Sequence, residues 1–312
     1  MPLIIMTAKK LKDVNFVDLY ITGNSFEISI GSNRSTVDNE LKGDAVVLRE
    51  ACKQKLSKTQ IPEFSIKHDN VLYRVTVLND PADQPIFFIR KSTAQILPLD
   101  ALNIREDVED LISKPELDGL ILIAGKMANG KTTTASSIVS HRLNLFGRVA
   151  VAIEDPIETN LGGQHGSGIC YQSEASRFDG GYKESLIRTL RTGTDIIFIG
   201  EIRDSDTASE VVKASINGHL IISTIHAGSI KEAIEKLYRL CDVSTRQSLG
   251  EGLQAVVHQT LENIGKDTTR RRLVSNSFIM NDAARAMILT EDFPKISQIV
   301  TEQLDAQIWK SN

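Results

Sequence analysis

The chain reads as an α/β fold with a mostly parallel sheet, preceded by a small α+β domain, and three observations predict it. Gly125–Thr132 spells Gly-Lys-Met-Ala-Asn-Gly-Lys-Thr, a complete G-x-x-x-x-G-K-[ST] phosphate loop with an apolar run, Leu120–Ala124, before it and a helical pattern after it. Downstream, short apolar runs alternate with segments of helical period, the pattern of buried parallel strands joined by helices. The first hundred residues instead show two-residue alternation around one helical stretch.

In that first part Val17, Leu19 and Ile21 alternate, Thr22-Gly-Asn-Ser25 turns, and Phe26, Ile28 and Ile30 alternate again, a β-hairpin signal. Asp44–Leu56 carries Ala45, Leu48, Cys52 and Leu56 on one side and reads as a helix. Asn70–Leu78 and Pro85–Arg90 read as two more strands, joined by Asn79-Asp-Pro81. Ser92–Leu102 has no clear period and contains Pro98. The expected division is therefore an N-terminal α+β domain over 1–95, a linker over 96–104, and a second domain over 105–312 with a helical C-terminal part.

The second domain opens with a short helix, Arg105–Ile112, before Pro115. Strands are expected at Leu120–Ala124, Val149–Ile153, Ile196–Ile199 and Leu220–Ser223. The helix after the phosphate loop puts Ala135, Ile138, Val139, Leu143 and Phe146 on one face and stops at Gly147. Another starts near Ser205 or Asp206 and stops at Asn217-Gly218. A third opens with the capping box Ser229-x-x-Glu232 and buries Ile230, Ala233, Ile234 and Leu237.

Composition narrows the function classes. A net charge of −4 provides no overall basic field, so nucleic acid is not an expected partner, and Arg270-Arg271-Arg272 reads as a solvated hairpin end. Cys52, Cys170 and Cys241 lie far apart with no CxxC pair, which excludes a Cys₄ zinc site and argues against a disulfide framework. No apolar run approaches the roughly 20 residues of a membrane span. The Leu3–Met6 patch before Lys9-Lys10 is too short for a signal-peptide core. The expected location is cytoplasmic.

A phosphate loop points backbone N–H groups and a helix N-terminus at a polyphosphate. Gly125, Asn129, Gly130, Lys131, Thr132 and Thr133 are the candidate nucleotide-binding residues, with Lys131 reaching the β/γ-phosphates and Thr132 holding Mg²⁺. Phosphoryl transfer also needs a carboxylate and positive charge. Ile153-Glu-Asp-Pro-Ile-Glu158 offers three carboxylates at a strand end; metal handling and a surface acidic turn are equal readings of it. Asp195–Asp204 resembles the apolar strand ending in an acid that lies opposite phosphate loops, but Gly200 occupies the usual Asp slot and Glu201 supplies the acid. The alternative for Glu201 is a plain ion pair with Arg203. His219 and His226 flank one strand; His226, at the carboxyl end, is the candidate γ-phosphate contact and His219 a structural residue.

Taken together, these motifs resemble the traffic ATPases of type II and type IV secretion and of type IV pili (PilT/GspE-like). That family has a phosphate loop, then an acidic box like Ile153–Glu158, a strand ending like Gly200–Asp204, and a histidine box like Gly218–His226. The match runs from about Leu97 to Leu261, where Gln259-Thr-Leu261 resembles the family's Gln-x-Leu. Tyr73-Arg-Val75 and Phe88-Ile-Arg90 resemble its arginine-bearing segments. The resemblance implies a RecA-like ATPase core behind a PAS-like N-terminal domain. It implies that Glu158 activates water, that Glu201 coordinates Mg²⁺ or a bridging water, that His226 senses the γ-phosphate, and that Arg74 and Arg90 act as arginine fingers. It further implies a homo-hexamer that hydrolyses ATP. Such a motor drives inner-membrane components of a secretion, conjugation or pilus machine from the cytoplasmic face of the membrane. The missing four-cysteine element points to the retraction or the conjugation/type IVB secretion branch.

The loop itself departs from the pattern at Lys126, Ala128 and Asn129, where relatives usually carry Pro, Gly and Ser. An alanine resists φ > 0, so an altered loop geometry and slow turnover are expected. That motivates a second reading, an ATP-binding assembly module with little turnover. A third is a P-loop nucleic-acid translocase, which the acidic net charge opposes.

Overall fold

The computed structural model describes residues 10–310 apart from 24, 32, 93–95, 103 and 266, and leaves the side chains of 267–270 and 306–310 undescribed. The Leu3–Met6 patch, Asn24 of the first turn and part of the 92–102 boundary stretch lie outside the described residues. The chain forms two compact units: Met1–Ala94 with Pro156–Asn160, and Gln95–Asp155 with Leu161–Asn312. The expectation of a contiguous domain over 105–312 did not anticipate that the five residues Pro156–Asn160 belong with the first unit.

The first unit contains β1 (Asp18–Ile21), β2 (Phe26–Ile30), β3 (Asn33–Thr36), α1 (Asn39–Thr59), β4 (Glu63–His68), β5 (Val71–Asn79) and β6 (Pro85–Lys91). These strands make one antiparallel sheet in the order β3-β2-β1-β6-β5-β4. The expected hairpin is β1–β2, with Leu19 opposite Ile28. Leu41, Ala45, Leu48 and Cys52 of α1 pack on Leu19, Phe64, Tyr73, Val75, Phe87 and Ile89 of the sheet. Two strands escaped the sequence reading for a physical reason. β3 is polar and exposed throughout, and β4 buries two adjacent residues, Phe64 and Ser65, so neither shows an alternation.

The second unit contains α2 (Glu106–Ile112), β7 (Gly119–Ala124), α3 (Lys131–Phe146), β8 (Val149–Glu154), β9 (Gly163–His165), β10 (Gly168–Glu174), α4 (Gly181–Thr189), β11 (Ile196–Ile199), α5 (Ser205–Ile216) and β12 (Leu220–Ile225). It continues through α6 (Ile230–Leu240), α7 (Val243–Arg246), α8 (Leu249–Gly252), β13 (Leu253–Ile264), β14 (Asp267–Ile279), α9 (Asp282–Leu289) and α10 (Phe293–Lys310). The sheet order is β14-β13-β7-β12-β11-β8-β10-β9. Pairing is parallel from β13 through β10 and antiparallel at both edges. Every residue of β7, β11 and β12 is buried, because helices cover both faces. Leu120, Leu122 and Ala124 face the side covered by α5 and α6, whereas Ile121 and Ile123 face α3.

The helix ends follow their sequence signals with one correction. Gly147 closes α3 in the left-handed conformation, and Asp204 caps α5 by accepting from the Thr207 N–H. At α6, Ser229 accepts from the Glu232 N–H at 3.1 Å, but the Glu232 carboxylate bonds the Gly228 N–H at 2.6 Å, one residue earlier than a capping box requires. Among the described residues no helix is long and apolar enough to cross a membrane.

Candidate active site

The strand order explains which side chains meet. β12 lies between β7 and β11, so three parallel strands deliver their carboxyl ends side by side. The phosphate loop and Lys131 follow β7, His226 follows β12, and Glu201 follows β11. Their side chains form a chain of contacts. Lys131 Nζ lies 3.2 Å from His226 Nδ1, His226 Nε2 lies 3.1 Å from Glu201 Oε1, and Arg203 Nε donates to Glu201 Oε2 at 2.7 Å. An ammonium group has donors only, so Nδ1 accepts and the imidazole proton sits on Nε2, facing the carboxylate. The ion pair with Arg203 is thus present, and Glu201 also faces the phosphate-loop lysine through His226. Burial opposes the Arg203 charge, but the hydrogen bond to Glu201 and the neighbouring charges outweigh it and leave the Arg203 pKa raised. His219 lies at the other end of β12, where its carbonyl accepts from the Gly119 N–H.

Gly200 occupies the slot where an acid was expected, and close packing accounts for it. A Cβ there would stand 3.0 Å from the Tyr182 hydroxyl and 3.4 Å from the Ile153 carbonyl. The acid consequently comes one residue later, on the turn that Ile202 N–H anchors to the Thr224 carbonyl at 2.9 Å.

The loop runs from Gly125 to Gly130, and α3 begins at Lys131 with its first N–H groups outside intrahelical bonding. Thr132 and Thr133 lie in that first turn. Lys131 is only 7% exposed and also donates to the Lys126 carbonyl at 2.9 Å. The expectation that Ala128 would avoid positive φ is corrected: its φ is +60°. The loop keeps a left-handed residue at this point and accepts a strain of about 1–2 kcal/mol in doing so.

The acidic box does not converge as one cluster. Glu154 is buried at the end of β8 and accepts from Gln172 Nε2 at 2.8 Å. Glu158 lies in the segment that belongs to the first unit, where Arg74 Nη1 donates to its Oε1 at 2.7 Å. That segment is held by the same unit's sheet: Ser65 Oγ donates to the Ile157 carbonyl at 2.9 Å, Ser92 Oγ to the Glu158 carbonyl, and Lys67 Nζ to Asn160 Oδ1 at 3.2 Å. Asp18, Arg90, Arg74 and Ser65 stand opposite one another across four strands, which puts both candidate arginine fingers on one face. Like charges facing each other are unfavourable, and each arginine has its own acid. Arg90 donates twice to Asp18, at 2.8 and 3.1 Å, an interaction that raises its pKa.

Sequence reasoning gave Gln259 no role. The structure places it against the phosphate loop, with Nε2 donating to the Asn129 carbonyl at 2.6 Å. The available signal was the Gln-x-Leu resemblance at Gln259-Thr-Leu261, which singled the residue out without giving it a partner.

Residues 63–304 match the family described as Type II/IV secretion system protein. The chain belongs to that family. Among its curated relatives is the type IV pilus retractation ATPase PilT of Pseudomonas aeruginosa, 29% identical over 245 residues that make up 76% of this chain and 67% of that protein. The matches to type II secretion protein E sequences cover only about a quarter of those proteins' length. Two solved structures share the fold. The pilus retraction motor PilT with bound ADP has a TM-score of 0.76 at 23% identity, covering 96% of this chain and 91% of that one. The ATPase DotB of Legionella pneumophila has a TM-score of 0.73 at 20% identity, covering 93% and 84%. This secretion-family chain therefore shares the fold of these two proteins, an α/β arrangement with a mostly parallel sheet, as the sequence predicted.

Proposed function

We propose that this secretion-family chain is an ATP-hydrolysing motor, assembled as a homo-hexamer, that drives inner-membrane components of a type IV secretion, conjugation or pilus machine from the cytoplasmic side. The observation that carries the reading is the convergence of Lys131, His226 and Glu201 at the ends of three adjacent parallel strands. In this arrangement the first-turn N–H groups of α3 and Lys131 hold the β/γ-phosphates, and His226 registers the γ-phosphate when Lys131 leaves it for the nucleotide. Glu158 takes the proton of the attacking water, and Arg74 and Arg90 stabilise the charge that develops on the transferred phosphoryl group.

Mg²⁺ suits the donors present, since the Thr132 hydroxyl and the Glu201 carboxylate are hard oxygen ligands. Bound with the nucleotide, the ion would neutralise the charge that develops on the phosphates during transfer. The Arg203 and His226 contacts occupy one lone pair on each Glu201 oxygen, which favours a water-bridged role for this acid.

The Arg74–Glu158 pair, which engages the proposed base, favours the second reading, an ATP-gated assembly module with little turnover. Steady-state phosphate release by the purified full-length oligomer separates the two. The motor reading expects clear turnover that Lys131→Ala abolishes together with nucleotide binding; a nucleotide-bound oligomer that releases no phosphate supports the module instead. Stimulation of hydrolysis by single- or double-stranded DNA would point to a translocase.

A further inference from the structure

β13 lies beside β7 in parallel, with His258 opposite Ala124, so Gln259 comes level with Gly125, the first residue of the phosphate loop. Three contacts follow from that register. The Gln259 amide donates to the Asn129 carbonyl at 2.6 Å. The Leu261 N–H donates to Asn129 Oδ1 at 3.3 Å. The Gln259 carbonyl stands 2.6 Å from where a Cβ on Gly125 would be, so the strand presses against the loop's first residue and only glycine fits there. Leu261 Cδ1 lies 3.4 Å from the corresponding Cβ position of Gly130, the loop's last residue. Both ends of the loop are thus backed by one strand, while its middle carries the strained Ala128 at φ +60°.

Gln259 is fully buried, and its Oε1 accepts no hydrogen bond among the described residues. A half-satisfied buried amide is less favourable than an apolar side chain of the same size. The amide at this position is therefore explained by what its N–H does, and what it does is hold the loop. Asn129, where a serine is usual in the resembling family, is long enough for its side chain to reach the same strand.

We infer that Gln259 is a positioning residue for nucleotide binding: it clamps the phosphate loop in its cradling shape against the strain of Ala128. This rests on the reading that the loop binds nucleotide. Two consequences distinguish it from a role in packing alone. Losing the clamp weakens nucleotide affinity, and relieving the strain makes the clamp less necessary.

The test is a fluorescence titration of the full-length chain with methylanthraniloyl-ADP and Mg²⁺, on wild type, Gln259→Met, Ala128→Gly and the double variant. Gln259→Met keeps the volume and removes the donor, and its dissociation constant should rise about tenfold, the effect of one buried hydrogen bond. In the Ala128→Gly background the same substitution should raise it no more than about threefold, because the coupled sites are not additive. A loss under twofold, or an equal loss in both backgrounds, overturns the inference. Should Gln259→Met fail to fold, Asn129→Ala removes the Leu261 contact from the loop side and should weaken binding about threefold by loss of one weaker hydrogen bond; unchanged affinity overturns the inference. A wild-type chain that binds no nucleotide sinks the functional reading instead. The clamp is then judged by amide hydrogen exchange at Asn129–Lys131, which Gln259→Met must accelerate at least about tenfold for the clamp to stand.

Discussion

The two units hold their candidate catalytic acids in opposite ways. In the second unit, Glu201 is 16% exposed and is fixed from two sides, by His226 across neighbouring strand ends and by Arg203 two residues away. In the first, Glu158 meets Arg74 with both side chains 38% exposed, on a five-residue excursion of the chain. A connected, half-buried network resists rearrangement, whereas one exposed ion pair contributes about 0–1 kcal/mol and parts easily. Glu201 is thus pre-set by the fold, whereas the exposed Arg74–Glu158 contact is weak enough to exchange. The first unit does contain a fixed acid, Asp44, but that one is structural. It is nearly buried and accepts from the Leu11 N–H at 2.8 Å, Lys10 Nζ at 3.1 Å and His68 Nε2 at 3.0 Å, and Lys10 also reaches Asp69.

The sharpest way to break this contrast is Arg74→Ala. If Arg74 works on the nucleotide and only rests on Glu158, turnover should fall about 10³-fold or more, as for an arginine finger, while stability moves by no more than about 1 kcal/mol. A large loss of melting temperature with turnover preserved would make the pair structural and erase the contrast.

Asp44 should behave in the reverse manner. Burial pushes its pKa up, but the Leu11 N–H, His68 and Lys10 outweigh burial and leave it below the ordinary carboxylate value. A folded pKa below the unfolded one gives stability that is complete above about pH 4 and is lost as pH falls through the folded value. Asp44→Asn should therefore cost about 1–3 kcal/mol at pH 7, and its deficit against wild type in urea unfolding should shrink steadily below about pH 4. An equal deficit at pH 7 and pH 3 would show that the charge of Asp44 does nothing for the fold.

The smallest effect is expected at the loop. Ala128→Gly relieves the left-handed strain but loosens the unfolded chain, so a net gain of up to about 1 kcal/mol is expected. A destabilised variant in thermal unfolding would mean that the alanine methyl is favourably packed.

Legibility in the sequence followed burial geometry. The strands β7, β11 and β12 are covered on both faces, so they appear as short apolar runs, and Ile196–Ile199 was located to the residue. Asn39–Thr59 was read too short, since its first turns, with Gly43, carry little apolar periodicity. The long hairpin β13–β14 went unread as strands because the segment around its turn, Glu262–Arg272, is polar and lacks a two-residue turn signature. At the site, residue types and motif order were enough to nominate Lys131, Glu201 and His226. Their sequential contacts required the strand order, which no local pattern encodes: β12 had to fall between β7 and β11. Pro156–Asn160 was equally hidden, since which unit claims a segment depends on long-range partners such as Ser65 and Arg74.

The most direct test of the account is ATP turnover by Glu158→Gln alongside its nucleotide affinity. The substitution keeps the size and hydrogen-bonding reach of the side chain and removes the base. Affinity for ATP should stay within about twofold of wild type, while turnover falls at least about 10²-fold, the contribution of a positioned general base. Hydrolysis at the wild-type rate in the Glu158→Gln protein would contradict the assignment of the water-side acid and with it the contrast between the two units.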